Sequence, residues 1–105
     1  MPQDDDHPKT ENLELGKILA ALADPSRRKV IADLLNEAEG TVRTCWSFEL
    51  PVAKSTLTHH FKVLKDSGLV ISVDRGNRRE VVLRKQDLDQ RFPGLLDVIK
   101  NDAPR

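Results

Sequence analysis

The 105-residue chain has a single cysteine, Cys45, so no disulfide can form within it. One thiol also excludes every zinc site that needs two or more cysteines of one chain. Such sparing use of cysteine suits a reducing, cytoplasmic setting. No apolar run approaches the ~18–20 residues of a membrane-spanning helix. The opening residues, Met1-Pro2-Gln3-Asp4-Asp5-Asp6, are acidic and polar, which is not the pattern of a secretory signal. Tyrosine is absent, and one tryptophan and three phenylalanines are the only aromatics. So few rings leave little to line a catalytic pocket or to stack on unpaired RNA bases. Serine–histidine–acid spacing, a phosphate loop and paired carboxylates are all missing, so an enzyme is not expected. Net charge is missing too: 17 basic residues balance 17 acidic ones.

What is present is unevenly distributed. Residues 1–40 carry 5 basic and 9 acidic side chains. Residues 41–85 carry 9 basic and 4 acidic, and residues 86–105 carry 3 and 4. A basic middle between acidic flanks points to a polyanion on one face. The length suits one domain with one modest core, burying about two-thirds of the unfolded surface.

Residues 1–11 read as a flexible acidic tail, with two prolines and three consecutive aspartates. Leu15, Ile18, Leu19 and Leu22 then fall at i, i+3, i+4 and i+7, the stripe of an amphipathic helix over 12–23. Asp24-Pro25 ends it and starts another, with Asp24 as cap and Val30, Ile31, Leu34 and Leu35 inward. Arg27, Arg28 and Lys29 face outward on that helix, and Gly40 closes the segment. Residues 41–50 have no clean period and read as a short helix. Residues 53–67 give a clear helix, with Leu57, Phe61 and Leu64 on one stripe and Gly68 at the C-terminal cap. Residues 69–73 and 80–83 read as strands about a Gly76-Asn77 turn. From Lys85 the pattern is helical again, broken or kinked at Pro93-Gly94, and residues 102–105 form a short tail. Helix–turn–helix followed by a hairpin is the winged-helix order. The expected class is mainly α with a small β-hairpin, spanning 12–101.

On a wheel at about 100° per residue, Phe61 and Leu64 lie within about 40° of Leu57. Ser55, Thr58, His59 and Lys62 gather on the opposite side. Short hydroxyls, an imidazole and a cation are what a helix needs to approach base edges in a major groove. Lys54 and Ser55 open the helix, where free N–H groups favour phosphate. The bland reading is a solvated amphipathic face. Arg75, Arg78 and Arg79 surround the turn and can follow phosphates or enter a minor groove; the bland reading is a solubilising tip. His59 and His60 point about 100° apart, so they cannot both face one ion. His60, near the edge of the apolar stripe, reads as a packed, hydrogen-bonded histidine.

These residues resemble a known family. Ala21-Leu22-Ala23-Asp24-Pro25-Ser26-Arg27-Arg28 resembles the "L-x-D-P-x-R" opening of the arsenical-resistance repressor (ArsR/SmtB) family. Residues Lys54 to Val70, KSTLTHHFKVLKDSGLV, resemble its recognition helix and first strand, and Arg75-Gly76-Asn77-Arg78-Arg79 sits where its wing would lie. The likeness spans about residues 13–100. It implies a homodimeric winged-helix repressor that binds double-stranded DNA at a near-palindromic operator. It also implies dimerisation through the first and last helices, here Leu15, Ile18, Leu19 and Leu22 with Leu95, Leu96, Val98 and Ile99.

The chain departs from that family in three ways. Ala53 stands where a capping serine is common, a loss of about 1 kcal/mol that Ser55 can offset by starting the regular helix later. Val42 and Thr44, then Cys45, stand where a metal-binding Cys-x-Cys pair would lie. The last helix has Asp87, Asp89 and Asp97 but no histidine. No standard metal site and no cofactor are therefore expected, and the sequence does not specify an inducer. A loose cluster of Asp4, Asp5, Asp6 and His7 is a weaker metal candidate, and Cys45 reads as a small buried residue beside Trp46. The expected DNA-contacting set is Lys54, Ser55, Thr56, Thr58, His59, Lys62, Arg75, Arg78 and Arg79. A winged-helix protein-interaction module that does not bind DNA is the alternative.

Overall fold

The structure is a computed structural model and describes residues 7–102. A 3-10 turn, Thr10–Asn12, leads into α1 (Leu15–Ala23), α2 (Pro25–Leu35) and β1 (Arg43–Thr44). A second 3-10 turn, Cys45–Ser47, precedes α3 (Lys54–Ser67), β2 (Val70–Asp74), β3 (Arg79–Leu83), α4 (Lys85–Arg91) and α5 (Leu95–Asp102). The sheet is antiparallel in the order β1-β3-β2, with Ser72 opposite Val81 and Asp74 opposite Arg79. Apart from residues 41–50, the helices, the hairpin and their order match the winged-helix expectation. Among the described residues, no helix is long and apolar enough to cross a membrane.

The α1–α2 corner follows from its sequence. Pro25 occupies the first turn of α2, and Asp24 before it is extended (φ −78°, ψ 127°). The Asp24 carboxylate accepts the backbone N–H groups of Ser26 (2.8 Å) and Arg27 (3.1 Å). Arg27 and Arg28, expected to face outward, instead turn back onto α1. Arg27 Nε donates to the Ala21 carbonyl at 2.7 Å and Arg28 Nη1 to that of Leu22 at 2.8 Å. The last carbonyls of α1 have no partner within their own helix, and these two cations supply one. The core beneath holds Ile18, Val30, Ile31, Leu64, Leu69, Val70, Val81 and Leu88, all fully buried.

Three further readings change. Residues 41–50 are not a helix. Arg43 and Thr44 pair with Val81 and Glu80 of β3. Thr41, Val42 and Thr44 are β-branched and disfavour a helix, and a sheet partner some 37 residues away captures the backbone. Residues 7–11 of the expected flexible tail are docked. His7 Nε2 accepts the Ser72 N–H at 3.0 Å, the Pro8 carbonyl accepts from Arg84 at 2.7 Å, and Thr10 Oγ1 donates to Asp87 at 2.7 Å. His7 thereby covers a backbone donor on the open edge of β2. The Asp4–Asp6 part of the metal candidate lies outside the described residues, while His7 is buried in this contact. Finally, the two stripes expected at a dimer seam divide. Ile18, Leu22, Leu96 and Ile99 are buried within this chain's own core, because α1 packs on α2 and α3, and α5 on α2 and α4. Leu15, Leu19 and Val98 are 45%, 49% and 66% exposed, and Leu95 is half-buried.

Candidate nucleic-acid interface

The helix α3 is anchored by one face. Leu57, Phe61 and Leu64 are buried, and the Phe61 ring lies 5.6 Å from that of Phe48. His60, at the edge of this face, is also buried. Its Nδ1 lies 3.2 Å from Arg27 Nη1, and its Nε2 lies 3.9 Å from the Asp24 carboxylate. A guanidinium only donates, so Nδ1 accepts and the ring proton sits on Nε2, toward Asp24. The pairing of His59 and His60 as metal ligands has no place in this geometry. Burial pushes the Asp24 carboxyl up, but the N–H groups of Arg27 and Ser26, with His60 and Arg27 nearby, hold it below its ordinary value. The corner motif and the helix edge thus form one network.

The C-terminus of α3 is fixed by Gly68, whose φ of +93° lies in the left-handed region. A Cβ here would overlap the Leu13 side chain. At the other end Ala53 precedes the helix and no side chain caps it, so α3 begins at Lys54 rather than after Ser55. Among the described residues, no side chain caps the opening N–H groups, as an anion-binding end requires.

All nine residues expected to contact DNA are exposed. On α3, Thr58 Oγ1 donates back to the Lys54 carbonyl at 3.2 Å, and Lys62 pairs with Asp66 at 2.9 Å. Lys54 Nζ stands 5.3 Å over the Trp46 ring. Trp46 is 58% exposed and went unnoticed in the sequence as part of this face. Its signal was a lone tryptophan in a segment without helical period.

The hairpin tip is tight. Asp74 Oδ1 accepts the Gly76 N–H at 2.8 Å, and Arg75 N donates to the Arg78 carbonyl at 2.8 Å. Gly76 has φ +90°, which glycine adopts without steric cost, while Asn77 stays at negative φ. Glu80 binds both Arg75 and Arg78 at 3.0 Å, which holds its carboxyl below the ordinary range. Arg79 reaches Asp74 at 3.6 Å and Ser72 Oγ at 3.3 Å. Thr58, Lys62 and Arg79 meet at one opening between α3 and the sheet. Arg75 and Arg78 stay together at the tip.

Cys45 is buried, and burial pushes its thiol up to about 11 despite the nearby Arg79. It is a neutral wall residue, not a thiolate. Among the described residues, no group of three or more histidine, cysteine, aspartate or glutamate side chains is placed to hold a metal ion.

Residues 24–72, from the α2 cap through α3 into β2, match the family model described as "Bacterial regulatory protein, arsR family". The chain is similar to the arsenical resistance operon repressor of Staphylococcus xylosus, 38% identical over 77 residues, covering 72% of this chain and 71% of that one. It belongs to the arsR family. It is therefore a DNA-binding transcription regulator of the helix-turn-helix type and not an enzyme. A further relative is the HTH-type transcriptional regulator YuzN of Bacillus subtilis (strain 168), 28% identical over 85 residues, with 76% of this chain and 92% of that one covered. Among solved structures, an ArsR family transcriptional regulator superposes with a TM-score of 0.65 at 25% identity, over 87% of this chain and 98% of that one. An ArsR-like transcriptional regulator from Rhodococcus sp. RHA1 has the same fold, with a TM-score of 0.59 at 24% identity over 80% and 77% of the two chains.

Proposed function

We propose that this arsR-family protein is a cytoplasmic repressor that acts as a homodimer on a near-palindromic operator. Each copy presents α3 to one major groove. Ser55, Thr58 and His59 touch base edges. Lys54, Thr56, Lys62, Arg75, Arg78 and Arg79 touch mainly phosphate. The observation that carries this reading is the exposure of that whole set beside a helix whose opposite face is buried. Dimerisation uses the exposed Leu15 and Leu19 of α1 and Val98 of α5, with Leu95 at the margin. No metal or cofactor takes part.

Selection of bound fragments from random duplexes, followed by affinity measurements at two salt concentrations, tests the reading. Binding should weaken steeply with salt. Thr58→Ala and His59→Ala should each lower discrimination between operator and random duplex, by about 1–3 kcal/mol for a base-edge contact. Arg78→Ala should weaken all sequences alike and lower the salt slope by about one. Unchanged discrimination in both helix variants would refute the assignment. In sedimentation, Leu19→Asp with Val98→Asp should yield a folded monomer; a persistent dimer would move the seam elsewhere. Salt-insensitive binding to a protein partner, with no affinity for duplex, would favour an interaction module instead.

A further inference from the structure

A cavity of about 350 Å³ opens between α3 and the sheet. Its size lies within the range of small-molecule sites. Its floor is apolar: Leu57, Phe61 and Cys45 are buried there, and Trp46 forms one wall. Among the described residues, its lining carries three cations, Lys62, Lys65 and Arg79, and no acidic side chain. Thr58 and Ser72 add hydroxyls. Asp66 on Lys62 and Asp74 on Arg79 are acidic neighbours outside the lining, both at the exposed surface, and Lys65 is likewise engaged rather than free.

Contact with DNA phosphate accounts for cations along such a rim. It does not account for an apolar chamber beneath them, since phosphate gains nothing from an aromatic floor. A cationic mouth over an apolar floor suits one chemical class, a small organic carboxylate with a ring or short chain as its body. We propose that this cavity binds such a carboxylate, and that occupancy releases DNA. The apolar body lies against Phe61, Leu57 and Trp46, and the carboxylate takes hydrogen bonds from the lysines and Arg79. Release follows because Thr58, Lys62 and Arg79 serve both ligands. This second half rests on the proposed DNA contacts; the binding itself does not.

Trp46 is the only tryptophan and the chain has no tyrosine, so its emission reports the cavity wall directly. The test titrates the full chain without DNA using cyclohexanecarboxylate, octanoate, the neutral cyclohexanecarboxamide and inorganic phosphate. Saturable change is expected with the two carboxylates. The amide should bind about tenfold more weakly, and phosphate should leave Trp46 unchanged. Lys65→Glu should weaken carboxylate binding about tenfold, and Lys65→Gln by less, with unaltered circular dichroism and unaltered DNA affinity. No saturation, equal binding of the amide, or carboxylate affinity unmoved in both Lys65 variants would overturn the site. A second arm adds cyclohexanecarboxylate to the protein–DNA complex, against acetate at equal ionic strength. Dissociation in step with Trp46 saturation supports release, and a complex stable at saturation overturns it. Absence of any DNA binding before ligand is added would sink the operator reading and the release with it, leaving the Trp46 titration to decide the cavity.

Discussion

The two elements that face outward together are held by different forces. The exposed face of α3 is positioned from behind, by buried Leu57, Phe61 and Leu64. The tip of the hairpin is positioned from in front, by Glu80 and Asp74 on exposed arginines. Burial of apolar surface is insensitive to salt and contributes about 1.5–3 kcal/mol per large side chain. Exposed ion pairs contribute little and are screened. The helix therefore presents a fixed set of groups suited to reading sequence. The hairpin presents charge that can be exchanged from a carboxylate to a phosphate at small cost.

Three changes test this contrast. The largest effect belongs to Phe61→Ala. It removes a buried ring that packs on Phe48 and should lower stability in urea by about 3–5 kcal/mol, loosening α3. A loss below about 1 kcal/mol would mean that something other than burial holds the helix. Next is Asp24→Ala, which removes the α2 cap and should cost about 1 kcal/mol. Because the folded Asp24 carboxyl lies below its ordinary value, its stabilisation is complete above about pH 4 and is lost as pH falls through the folded value. The wild type and Asp24→Ala should thus converge in stability under acid; a gap that widens there would contradict the cap. The smallest structural effect belongs to Glu80→Gln. It frees Arg75 and Arg78, so the urea midpoint should not move, while affinity for duplex rises at low salt and the salt slope steepens. Loss of hairpin order in amide exchange would show that the ion pairs are structural after all.

The same division governs what could be read in advance. The limits of α3, the Gly76-Asn77 turn and the Asp24-Pro25 corner were legible, because each depends on neighbours within a few residues. The exposure of the whole expected DNA-contacting set followed from one helical period and one tight turn. Residues 41–50 were misread because their backbone partners lie on β3. Docking of His7 onto Ser72 was invisible for the same reason. Helical period showed that α1 and α5 carry apolar stripes, but not that Ile18, Leu22, Leu96 and Ile99 are spent on this chain's own core. A stripe records that something covers it, not what does.

From its sequence alone, much of this protein's local geometry was settled: the amphipathic helices α1 to α3, the hairpin turn and the side chains on the outer face of α3. These depend on backbone conformational preferences and periodicity, which act over a few residues. Only the tertiary structure decided which apolar groups remain exposed, that Glu80 holds the arginines of the tip, and that Trp46, Phe61 and Lys65 surround one cavity. Those outcomes depend on which distant segments meet, and contact between segments far apart in the chain is set by the packing of the whole domain.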